Sequence, residues 1–107
     1  AYSICLFDFS DGVDAVEIEM AAWPDYSSLS LYDARTNNFL TFRGEGERFA
    51  MRLLPPLSEP EGFSIPAPTK RGIVLIRRLA PNEADYRAVE KIAVKDSCRA
   101  IRGGNAR

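Results

Sequence analysis

Gly72-Ile73-Val74-Leu75-Ile76-Arg77-Arg78-Leu79-Ala80-Pro81-Asn82-Glu83-Ala84-Asp85 is the stretch that decides the fold class. Four aliphatic residues in an unbroken run, released by Gly72 and closed by Arg77 and Arg78, read as a central strand buried on both faces. Pro81-Asn82 then opens a helix: Asn82 can cap it, and Glu83 and Asp85 suit the positive end of its dipole. Ala84, Ala88, Val89 and Ile92 supply an apolar face over about residues 83–95, and Lys91 and Lys95 sit toward the negative end. A competing reading makes residues 86–94 a strand.

Upstream the chain reads as strands and turns. Residues 2–9 form a largely buried strand, Ser10-Asp11-Gly12 a turn, and residues 15–20 a half-solvated strand with Glu17 and Glu19 outward. The simplest pairing joins these two strands as a hairpin. Residues 28–54 read as a three-stranded meander. Its turns fall at residues 33–38, where Asn37 and Asn38 tolerate left-handed backbone, and at Gly44-Glu45-Gly46-Glu47.

Residues 55–72 break the pattern, with five of the seven prolines: Pro55, Pro56, Pro60, Pro66 and Pro68. Missing N–H donors at that density predict no regular ladder there. The expectation is therefore a single α+β domain over residues 1–107. It has a mostly antiparallel sheet of five or six strands, one C-terminal helix packed on it, a proline-rich loop at 55–72 and a flexible tail at 103–107.

The cysteines are Cys5 and Cys98, near opposite ends of the chain. Paired, they staple the termini and point to an oxidising compartment. The other reading is two free thiols in a cytosolic protein. An opening at Ala1 fits a mature exported chain, so the expected location is periplasmic or secreted. No apolar run is long enough for a membrane span.

The net charge of −1 is unevenly spread. Residues 1–40 hold seven acids against Arg35 alone, a net −6, and the remainder is +5. The two parts either neutralise one another across the fold or leave an acidic face (Asp11, Asp14, Glu17, Glu19) for a basic partner. Dispersed bases and a pI near 5.4 argue against nucleic acid.

Without histidine, Ser-His and Cys-His nucleophile pairs are excluded, and two cysteines cannot close a zinc site. Asp8, Asp11 and Asp14 surround one turn, but their spacing is not that of an EF-hand loop. The carboxylate pairs Glu17/Glu19 and Glu45/Glu47 occupy ordinary outward positions, with no apolar pocket implied to raise one pKa. The aromatics Trp23, Tyr26, Tyr32 and Phe39 read as core or core edge rather than as a ligand platform.

Elimination leaves a protein-binding module that is not an enzyme and needs no metal or cofactor. Its expected contact residues are Glu59, Glu61 and Phe63 on a stiff proline-rich loop, with the acidic face beside them. Leu57, Phe63 and Ile65 could instead hold the loop down on the sheet. The expected role is neutralisation of a toxin or hydrolase by occlusion, in the manner of immunity proteins and small inhibitors, by a monomer or small dimer. The alternatives are a structural or assembly subunit of an envelope or secretion complex, and a secreted host-directed effector.

Overall fold

The computed structural model describes residues 1–62 and 64–102. Phe63 and the expected tail at 103–107 lie outside the described residues. The described chain forms β1 (Tyr2–Asp8), β2 (Ala15–Met20), β3 (Ser27–Tyr32), β4 (Asn38–Arg43), β5 (Phe49–Leu54), β6 (Ser64–Pro66), β7 (Arg71–Arg78), α1 (Glu83–Ala93) and β8 (Ser97–Ile101). The class is α+β, as expected, but the strands divide between two four-stranded sheets. One runs β1-β7-β3-β4 and the other β6-β5-β2-β8.

The division follows from the alternation of apolar side chains. β2 points Val16, Ile18 and Met20 inward; β3 points Leu29 and Leu31; β5 points Met51 and Leu53; β7 points Val74 and Ile76. Two opposed sheets bury all of these faces against one another, which a single sheet under one 11-residue helix could not do.

The expected β1–β2 hairpin does not form. β1 pairs with β7 (Ile4 opposite Leu75), and β2 pairs with β5 and β8. The connection is an arch between sheets, with Phe9 and Val13 buried in it and Asp11 and Gly12 both at positive φ. The expected meander is half right. β3 and β4 pair directly, whereas β5 crosses to the other sheet, and Phe42 and Phe49 stay in contact at a ring separation of 4.7 Å. The left-handed residue of the β3–β4 turn is Thr36, not Asn37 or Asn38. The Asp33 carboxylate organises that turn by accepting from the amides of Arg35 and Asn37.

β7 is central, as its composition predicts, and lies between β1 and β3. Its inward positions begin at Gly72, opposite Phe7. A Cβ there would run into the Phe7 ring and the Tyr32 carbonyl oxygen. Gly72→Ala should cost about 2–3 kcal/mol of overpacking, read as a lower urea midpoint at unchanged m.

Two more elements correct the reading of the chain. β6 pairs in parallel with β5 despite its proline. The Ala67 amide donates to the Leu54 carbonyl, so in this alternation the Pro66 nitrogen faces the open edge, where no donor is needed. Residues 97–101 form β8, which places Cys98 opposite Ile18. The helix starts as predicted, with Asn82 Oδ1 accepting from the Asp85 amide at 2.8 Å. Its apolar face is shorter than expected: Val89 is buried, and Ala84 and Ala88 are exposed.

Cys5 on β1 and Cys98 on β8 form a disulfide, which ties the two sheets together at one side of the sandwich. A second tie is Arg78. Although written as the closing charge of a strand, it is the last inward residue of β7, only 3% exposed. Its guanidinium forks onto Asp96 with two 2.6 Å bonds and donates to the Ala21 carbonyl; Asp96 in turn accepts from the Ala21 amide.

Candidate partner-binding surface

On the outer face of the β2 sheet the acids of the first part meet the bases of the second. Glu17 stands between Arg52, 3.1 Å away, and Arg99. Hydrogen bonds from Arg99 and then Arg52 hold its carboxyl below the usual glutamate range. Glu19 pairs with Arg48 at 2.7 Å, and on the other sheet Asp8 pairs with Arg71 at 3.2 Å. Exposed pairs of this kind contribute at most about 1 kcal/mol. Their larger consequence is that Glu17 and Glu19 are already neutralised within the chain. Asp11 and Asp14 are exposed on the arch, tied to the C-terminal strand region through Arg102 Nε and the Ile101 carbonyl.

The proline-rich segment is arranged differently. Its ends are anchored where β5 and β6 pair, Leu53 beside Ile65. Pro55-Pro56-Leu57-Ser58 makes a tight turn closed by a bond from the Ser58 amide to the Pro55 carbonyl. Gly62 at positive φ makes a second turn, where Glu61 and Ser64 exchange backbone hydrogen bonds of 2.9 Å. Leu57 sits at the third position of the first turn with φ +71°, a conformation that normally selects glycine or asparagine. A leucine there costs about 1–2 kcal/mol. The side chain recovers nothing by packing, since it is fully exposed at 102%. Glu59 and Glu61 are exposed nearby and have no ion pair among the described residues.

Leu57 lines a shallow groove of about 470 Å³ together with Phe39, Pro56, Pro66, Ala67 and Pro68. Leu57 is the site residue that sequence reasoning missed. In the sequence it stands only as a residue that could hold the loop down, and no local signal marks it, because Pro-Pro-Leu-Ser suits a type I turn as well as the left-handed third position found here. Trp23 is core, 6% exposed, with its indole N–H donating to the Leu79 carbonyl.

Residues 1–100 match the family described as "Protein of unknown function (DUF1254)". The chain belongs to that family. No curated protein and no solved structure matches this DUF1254 chain. The disulfide, and the lack among the described residues of a helix long and apolar enough to cross a membrane, are compatible with a periplasmic or extracellular protein.

Proposed function

We propose that this DUF1254 chain is an exported protein-binding module that neutralises a partner enzyme or toxin by occlusion, with the loop over residues 55–62 as the inserted element. The observation that carries the reading is Leu57, a large apolar side chain held fully exposed on a strained backbone. Strain of this kind persists where surrounding structure fixes it and tends to mark ligand clamps and contact sites. A pre-ordered loop loses little entropy on docking, so an apolar anchor flanked by Glu59 and Glu61 suits an apolar pocket with a basic rim. Glu17 and Glu19 can contribute only by exchanging their arginine partners for a stronger cation, so they belong to the rim of the contact.

Stability and binding should separate at this residue. Leu57→Gly relieves the strained φ, and we expect the unfolding free energy to hold or to rise by up to about 1 kcal/mol. The same change should abolish inhibition of the partner, and Glu59→Lys should slow association and remove its salt dependence. Titration calorimetry and activity assays against exported toxins and envelope hydrolases read both effects. A complex that forms and inhibits equally well with both variants would sink the loop reading.

A further inference from the structure

The outer face of the β1-β7-β3-β4 sheet carries a feature that loop docking leaves unused. Side chains alternate along a strand, so β1 turns Tyr2, Ile4 and Leu6 outward, exposed at 68%, 65% and 73%. Cross-strand register extends this stripe, Ile4 beside Leu75 and Leu6 beside Ile73. A contiguous apolar sheet face of this kind marks an interaction surface.

The two ends of the stripe differ in charge. At one end Tyr2, Arg77, Ser28 and Arg43 form a row across the sheet. Arg77 lies over the Tyr2 ring and Arg43 over the Tyr26 ring, and neither has a carboxylate partner among the described residues. At the other end Asp8, already paired with Arg71, and Asp33, which has no ion pair among the described residues, line a hollow of about 430 Å³ together with Leu6 and Ile73. Both carboxyls are held below the usual aspartate range, Asp8 by hydrogen bonds from Ser10 and Asp33 by those from Asn37.

We infer that this face binds a second copy of the chain as a two-fold dimer, the two stripes stacked with their strands antiparallel so that Arg77 of each copy reaches the hollow of the other, where Asp33 is the acid without an arginine partner. The face is complementary to itself in that orientation alone. Turned the other way, the two arginine rows would oppose each other, and like charges across an interface are strongly disfavoured. A two-fold contact also closes at two copies and consumes the apolar stripe of both. Four strands about 4.8 Å apart by seven residues at about 3.4 Å give a flat footprint near 450 Å², before side-chain relief. Counted over both copies this is about 900 Å², below the roughly 1,200 Å² of stable specific interfaces, so the dimer should be weak and reversible, dissociating within the micromolar-to-millimolar range.

Sedimentation equilibrium of the intact chain, from about 1 µM to 1 mM, brackets that range. The wild type should pass from monomer to dimer and no further. Leu6→Glu, at a position already exposed, should remain folded by circular dichroism and stay monomeric throughout. Arg77→Ala should weaken the dimer roughly tenfold, and so should raising the salt from about 0.05 M to 0.5 M. Leu57→Gly should leave the dimer unchanged, which separates this surface from the loop. A monomer at every concentration, a dimer insensitive to Leu6→Glu, or growth beyond two copies would overturn the proposal. A dimer tightened or unmoved by Arg77→Ala would overturn its antiparallel arrangement.

Discussion

Replacing Cys5 and Cys98 together by alanine should lower the unfolding free energy by about 4–5 kcal/mol. The bond closes a loop spanning a sequence separation of 93 residues, nearly the whole chain. Chain-entropy arguments assign that loop close to the maximum for a domain of this size. It also joins β1 to β8, strands of different sheets that share no backbone ladder. A small domain is stable by only about 5–15 kcal/mol in total, so the reduced protein should be marginal. Thermal unfolding with and without reductant should show a Tm difference above about 15 °C. A difference of a few degrees would mean that the sheets hold together by packing alone.

Asp96→Ala should cost about 3–5 kcal/mol, because it strands the Arg78 guanidinium inside the protein. Arg78 and Asp96 side chains are 1% and 8% exposed. The carboxylate and guanidinium also satisfy the Ala21 amide and carbonyl, so one ion pair fixes the end of β7, the chain after β2 and the approach to β8. The loss should persist in about 1 M salt, since buried pairs are poorly screened. The companion double variant, Arg78→Met with Asp96→Leu, removes both charges and should recover most of the loss. Urea unfolding of the three proteins at low and high salt reads this. A single variant within 1 kcal/mol of wild type would show that water reaches the guanidinium.

How far the sequence reveals this molecule depends on how local each feature is. The run at Ile73–Ile76 is apolar on both faces, and that alone forces a central strand. Asn82 and Asp85 lie three residues apart, so the helix start is also written locally. Strand pairing is not local. Val16, Ile18 and Met20 say that β2 has one buried face, but nothing in them distinguishes β1 from β5 as its neighbour. The hairpin expectation failed for that reason. Arg78 closes the apolar run as its charge suggests, but its burial is not local, because only Asp96, 18 residues away, makes it tolerable inside. At the candidate site, charge and stiffness were legible in Glu59, Glu61 and the prolines, while the exposure of Leu57 emerged only with the turn geometry. The pairing of Glu17 with Arg52 and Arg99 requires the β5-β2-β8 order, and it makes the outward acids of β2 part of an ion-pair network across that sheet.

The most direct test of the loop reading compares the proteins retained from a periplasmic extract by immobilised wild type and by immobilised Leu57→Gly, followed by activity assays on whatever differs. The account predicts at least one enzyme that the wild type retains and inhibits and that Leu57→Gly, equally stable, neither retains nor inhibits. Identical retention and inhibition by the two proteins would contradict it.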